Sequence, residues 1–150
     1  MSWVRIWVHL VFSTKNATPF LNSHSLRIQF IQHIKQNAEE KDIWIDTING
    51  YQDHIHCLIS LGKDQSISKV AQLIKGESSF WINQNKLIKS KFSWQDDYWA
   101  VGVSESHLSA VRNYINAQEE HHSKITFNDE VDEFMKKYGW VLINGKWRCG

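Results

Sequence analysis

The stretch His54-Ile55-His56-Cys57-Leu58-Ile59-Ser60-Leu61 constrains this chain most. As a strand, with its side-chain period of two, it puts both imidazoles on one face and Ile55, Cys57, Ile59 and Leu61 on the other. Two neutral imidazoles aimed at one point can hold a divalent ion. The commoner meaning of such a pair is a satisfied polar couple, so the spacing alone does not decide. Further on, Tyr114 and Gln118 stand four residues apart in a helix-like stretch and share a face about one turn apart. A nucleophile beside a possible third ligand points to metal-assisted phosphoryl transfer, although most tyrosines on amphipathic helices are core-edge residues whose hydroxyl reaches water.

The surrounding pattern supplies the fold. Residues 3–14 alternate, with Val4, Ile6, Val8, Leu10 and Phe12 against Arg5, Trp7, His9 and Val11, which predicts a first strand. From Ser23 or Ser25 as cap, Leu26, Ile28, Phe30, Ile31 and Ile34 recur at helical spacing until near Lys41. Ile43, Ile45 and Thr47 then alternate with Trp44, Asp46 and Ile48, and Asn49-Gly50 predicts a turn into the His54 strand. Ser66 or Ser68 caps a second helix carrying Ile67, Val70, Leu73 and Ile74 towards Asn85, and Gly76 inside it calls for close packing or a close backbone approach to a ligand. Residues 92–103 are aromatic and β-prone. Ser104 or Ser106 caps a third helix whose core stripe is Leu108, Val111 and Ile115, with Tyr114, Gln118 and His121 or His122 as the adjacent polar stripe. Asn128 caps a short fourth helix through Val131, Phe134 and Met135, stopped by Gly139, and Asn144-Gly145 in the tail 140–150 signals a small hairpin.

The order β-α-β-β-α-β followed by helices predicts an α+β, ferredoxin-like antiparallel sheet with helices packed on it, plus C-terminal helices and a short tail. In such a sheet the third strand is central, so the His pair lies mid-sheet and needs partners, which Tyr114 and Gln118 supply if the third helix crosses that face. With 150 residues and no linker or repeat, one domain over 1–150 is expected.

Composition excludes several classes. Cys57 and Cys149 form neither a CxxC pair nor a disulfide framework, no basic-then-apolar leader opens the chain, and no apolar run approaches bilayer length. A soluble cytoplasmic protein without a membrane partner is expected. The net charge of +1 is no nucleic-acid signature, but the lysines from Lys63 to Lys91 outnumber their acidic neighbours, while residues 119–133 are mainly acidic. A lysine run is most often a solvated face. Of the eight tryptophans most pack the core, and some are available to stack unpaired bases.

At this point the chain resembles the single-tyrosine HUH transposases (His, hydrophobe, His) of the smallest bacterial insertion sequences and their REP-associated relatives. The resemblance rests on Val11-Phe12-Ser13-Thr14-Lys15, Asp53-His54-Ile55-His56-Cys57-Leu58 and Ile74-Lys75-Gly76-Glu77-Ser78-Ser79. It continues through Trp99-Ala100-Val101-Gly102-Val103-Ser104, Val111-Arg112-Asn113-Tyr114-Ile115 and Gln118-Glu119-Glu120-His121-His122. It implies that His54, His56 and Gln118 are metal ligands for Mg²⁺ or Mn²⁺ and that Tyr114 is the nucleophile. It further implies a segment near DNA, with Lys75, Ser78, Ser79 and Arg112 as candidate contacts, single-stranded DNA with hairpins at element ends as substrate, and a homodimer. The tail 140–150 matches no motif of the family. Two rival readings fit less well: a non-catalytic single-stranded nucleic-acid-binding module needs aromatics where this chain puts its His pair, and a two-histidine phosphoesterase needs two His-x-Ser/Thr motifs where one His pair is found.

Overall fold

The computed structural model describes residues 1–137 and the backbone of 140–143 and 146–149, so the expected stop at Gly139 and turn at Asn144-Gly145 lie outside the described residues. The chain divides into two compact units, Met1–Gln118 and Glu119–Gly150.

The first unit runs β1 (Ile6–Ser13), α1 (His24–Glu40), β2 (Trp44–Gly50), β3 (His54–Leu61), α2 (Ile67–Gln84), β4 (Trp99–Val103) and α3 (Leu108–Asn116). Its strands form one sheet in the order β2-β3-β1-β4, each pair antiparallel. This is the expected ferredoxin-like arrangement, with β3 and β1 central. The helix starts follow from local chemistry: the Leu26 N–H donates to Ser23 Oγ at 3.4 Å and the Lys69 N–H to Ser66 Oγ at 3.2 Å, each satisfying a donor that the first turn leaves open.

The two sheet faces bury different clusters. Leu10 and Phe12 of β1 with Ile55, Cys57 and Ile59 of β3 pack against Phe30 and Ile34 of α1 and Val70, Ala71 and Ile74 of α2. On the other face Trp7 and Leu58 meet Leu108, Val111 and Ile115 of α3. Burial pushes the Cys57 thiol far above its ordinary value, so it behaves as a small core hydrophobe.

Several expectations need correction. The register of β2 shifts between Ile45 and Thr47, so Asp46 is a bulge residue. Beyond it Ile48, paired with Cys57, joins the same cluster as Ile45, and the simple alternation of Ile43, Ile45 and Thr47 fails because a bulge inserts one residue into the period of two. Asn49 and Gly50 are the last strand residues rather than the turn, which falls at residues 51–53. A side chain at Gly50 would begin 2.2 Å from the His54 carbonyl oxygen, and this close approach explains the glycine. At Gly76, by contrast, nothing lies within 4 Å of where a side chain would begin, so close packing does not explain it.

A further correction concerns the helix after β4. A 3-10 turn, Glu105–His107, precedes α3, and neither Ser104 nor Ser106 caps the helix; both hydroxyls lie against His107 Nδ1, at 2.7 and 3.2 Å. The helix then ends at Asn116, where the Ala117 N–H is shared between the carbonyls of Asn113 (3.1 Å) and Tyr114 (3.3 Å). Gln118 opens a separate helix, α4 (Gln118–His122), so Tyr114 and Gln118 are not on one continuous helix.

The second unit holds the rest of α4, then α5 (Phe127–Lys137) and a hairpin of β5 (Trp140–Ile143) with β6 (Lys146–Cys149). The Asp129 N–H donates to Thr126 Oγ1 at 3.2 Å, so Thr126, not Asn128, caps α5. Among the described residues no helix is long and apolar enough to cross a membrane.

Candidate active site

β3 places His54 opposite Ser13 and His56 opposite Val11 of β1, both buried on the face that α3 covers. Their rings are 5.1 Å apart and each offers a nitrogen within 4.8 Å of the other. His54 Nδ1 lies 2.8 Å from Asp53 Oδ1, and Nε2 lies 3.0 Å from Gln118 Oε1. A carboxylate can only accept, so Nδ1 carries the ring proton and donates it. In the neutral ring Nε2 is then a lone pair facing an amide oxygen, an arrangement that a shared cation satisfies. The donor set, imidazole nitrogens with an amide oxygen, suits a divalent ion, and the Asp53 bond is the usual outer support of a ligating histidine.

His56 Nδ1 is 2.9 Å from Nε2 of His9, a buried imidazole on β1. The half-buried Tyr114 ring stands edge-on to both, 5.6 Å from His56 and 6.2 Å from His9 between centroids. Gln118 is tied back to the same segment, its Nε2 donating to the Tyr114 carbonyl at 3.4 Å. The structure thus brings His54, His56, Gln118 and Tyr114 together. Tyr98 packs against the core cluster on the opposite sheet face.

α3 is held over this face by its apolar stripe and by two polar anchors. Arg112 donates through Nε to Asp46 Oδ1 at 2.8 Å and through Nη2 to Oδ2 at 3.1 Å, while Asn49 Nδ2 donates to the Asn116 carbonyl at 3.2 Å. The guanidinium of Arg112 holds the Asp46 carboxyl below its ordinary range, helped by the Thr47 hydroxyl, and Arg112 is raised in turn. Arg112 also lies 5.8 Å from the Trp7 ring centre, and Trp7 Nε1 donates to Glu105 Oε2 at 3.0 Å.

Of the residues expected near DNA, Arg112 is thus on α3, while Lys75, Ser78 and Ser79 are on α2, which packs against the opposite sheet face. Lys75 Nζ donates to the carbonyls of Gln95 (2.6 Å), Asp96 (2.9 Å) and Asp97 (3.4 Å), stapling the loop before β4; burial lowers its pKa while Asp96 and Asp97 oppose the shift. Ser78 is buried, its Oγ accepting from Trp94 Nε1 at 3.0 Å and donating to the Lys75 carbonyl at 3.2 Å. Ser79 donates to the Gly76 carbonyl at 3.2 Å and, with Lys75, Gly76, Trp94 and Tyr98, lines an open groove of about 410 Å³. In the second unit, His122 Nδ1 donates to the Ile125 carbonyl at 3.1 Å, and Nε2 of His121 and of His122 lie 3.2 and 3.0 Å from Glu130 Oε2.

Sequence reasoning put His9 and Asp53 in the right places but gave them no role. The signal was available for His9: it shares a face with Trp7 and Val11, and the ferredoxin-like order makes the first strand a neighbour of the third.

Solved structures that share this fold include two transposases. One, a protein of Deinococcus radiodurans R1 described as a transposase, is 18% identical over 79% of this chain and 95% of its own, with a TM-score of 0.63. The other, a REP-associated tyrosine transposase bound to a REP hairpin, is 16% identical over 89% of this chain and 84% of its own, with a TM-score of 0.61. Among curated proteins none matches. The sequence profile of the family "Transposase IS200 like" matches residues 2–118, which spans the sheet, both helices beneath it, Tyr114 and Gln118, and the chain belongs to the IS200-like transposase family.

Proposed function

We propose that this transposase cleaves and rejoins single-stranded DNA through a covalent bond between Tyr114 and a 5′-phosphate, with the whole chain acting as one catalytic domain. The observation that carries the reading is the convergence of His54 Nε2 and Gln118 Oε1, 3.0 Å apart, on the face where Tyr114 stands 5.6 Å from the His56 ring. A divalent cation, Mg²⁺ or Mn²⁺, held by His54, His56 and Gln118 would polarise the scissile phosphodiester and offset its developing charge.

The tyrosine oxygen attacks phosphorus, the bond from phosphorus to the 3′ oxygen breaks, and that oxygen leaves with the electron pair and takes up a proton. The products are a 5′-phosphotyrosine and a free 3′-hydroxyl. Because one phosphodiester is exchanged for another, attack by a second 3′-hydroxyl rejoins strands without ATP. A tyrosine of ordinary pKa, near 10, is a weak nucleophile at neutral pH, which is why a neighbouring positive charge matters. The substrate in this reading is a hairpin-bearing single strand, supported by the REP hairpin held by a protein of like fold. Ser79 lines the groove on α2, Lys75 and Ser78, engaged within the fold, would act on DNA by shaping that surface, and Arg112 would act by holding α3 on the opposite sheet face. The assembly is a homodimer.

The test is incubation with hairpin-bearing single-stranded oligonucleotides, labelled at one end or the other, with Mg²⁺ or Mn²⁺. A protein-DNA adduct that survives denaturation, contains the 3′-end label and disappears in Tyr114→Phe is the expected result. Undiminished adduct in Tyr114→Phe would move the nucleophile elsewhere.

A further inference from the structure

His9 is a buried imidazole on a central strand, between Leu58 of β3 and Val101 of β4 in the sheet register, and its Nε2 reaches His56 Nδ1 at 2.9 Å. We propose that His9 is the positioning residue for His56: it holds that ring, and its proton on Nδ1, so that Nε2 is the atom presented to a cation. The proposal rests on the reading of His54, His56 and Gln118 as a metal site.

A ligating histidine works well only when its second nitrogen is held, because the free ring can turn and can place its proton on the ligating atom. For His54 the holder is the Asp53 carboxylate at 2.8 Å. At His56 the Nδ1 meets a second imidazole, Nε2 of His9. Two imidazole nitrogens at hydrogen-bond distance share one proton. If His56 Nδ1 carries it, Nε2 of His56 is a lone pair and can ligate. If His9 Nε2 carries it, the neutral His56 ring keeps its own proton on Nε2 and cannot. Binding a cation at His56 therefore requires His9 Nε2 as an acceptor, and the two events are linked. The strand pair makes the acceptor rigid: β1 and β3 are hydrogen-bonded neighbours along their whole length, and the His9 and His56 rings lie 5.1 Å apart with a tilt of 34°. His9 also borders Tyr114, so one side chain touches both halves of the candidate site.

The experiment is titration of metal-stripped protein with Mn²⁺, without DNA, following the free-ion signal by electron paramagnetic resonance. Melting temperature in EDTA serves as the control for folding. His9→Leu removes the acceptor and is expected to raise the Mn²⁺ dissociation constant roughly 10–100-fold. His9→Gln, whose amide oxygen can accept from Nδ1–H, should recover most of that loss, which a purely structural role would not predict. Should His9→Leu fail to fold, His9→Asn, polar but too short to reach His56, takes its place with the same expected loss. Wild-type affinity in a folded His9→Leu or His9→Asn protein, or a His9→Gln protein as weak as His9→Leu, overturns the proposal. A wild-type protein that binds no Mn²⁺ also overturns it, and in that case the metal-site reading itself falls, whereas the other two outcomes leave that reading standing.

Discussion

Truncation of Ile115 to Ala tests whether the docking of α3 delivers the tyrosine. Ile115 is fully buried in the small cluster of Trp7, Leu58, Leu108 and Val111, one residue after Tyr114. Removing the side chain beyond Cβ takes away three carbons, worth roughly 0.8 kcal/mol each in transfer free energy. A residual cavity brings such truncations to about 2–5 kcal/mol. Because this cluster is small and borders the half-buried Val103 and Tyr114, it can partly collapse, and about 3 kcal/mol is expected. For a chain of this size that corresponds to a melting temperature lower by roughly 6–12 °C. Ile59→Ala is the matched control, equally buried but in the cluster on the opposite face, and should lose a similar stability. The two should part in adduct formation at a temperature where both are folded, with Ile115→Ala slowed and Ile59→Ala close to wild type. Equal cleavage by the two variants would refute the claim that packing beneath α3 places Tyr114.

Other outcomes follow from the same geometry. In denaturant titrations Gly50→Ala should lower the unfolding free energy by about 1–3 kcal/mol or more, because the His54 carbonyl that it would strike is backbone and cannot yield, whereas Gly76→Ala, facing open space inside a helix, should gain roughly 0.5–1 kcal/mol. The Asp46 carboxyl, lowered by Arg112, contributes stability above its unfolded pKa of about 4 and loses it as pH falls through the lower folded value, so Asp46→Asn should cost up to about 1 kcal/mol at neutral pH and progressively less as pH falls below about 4, as read from urea unfolding across pH. Mn²⁺ at roughly a hundred times its dissociation constant should stabilise the protein by about 2.7 kcal/mol, a shift that His54→Ala combined with His56→Ala should erase in a thermal melt.

What was legible in the sequence was whatever the period of a single element records. The alternation of β1 and β3 assigned both faces correctly, and the serines before α1 and α2 were read as caps because in each case the chain enters a helix directly. Features that depend on one element meeting another left no periodic trace. The bulge at Asp46 serves Arg112, 66 residues away, so an alternation rule applied to β2 alone runs through it. The break at Ala117 was hidden because the spacing of Tyr114 and Gln118 fits a continuous helix equally well. Lys75 looked like a free cation in a basic run; its bonds to three successive carbonyls, 20 to 22 residues ahead, are visible only in space.

The two halves of the candidate site are held to unequal degrees, and this follows from where they sit in the fold. His54 and His56 project from a central strand paired on both sides, whose other face is locked by Ile55, Cys57 and Ile59 against two helices. Their positions inherit the precision of the sheet. Tyr114 is carried by a nine-residue helix whose contacts among the described residues include three apolar side chains, the Arg112–Asp46 ion pair and the Asn49 amide bond. An isolated helix of that length is unstable in water, so its place depends on those contacts. Small losses under α3 should therefore alter the chemistry before they alter the fold, while losses under β3 should do the reverse. In the proposed reaction a tyrosine that bonds to a strand and later releases it needs freedom that the candidate metal ligands do not, and the unequal packing of the two sheet faces would supply that difference.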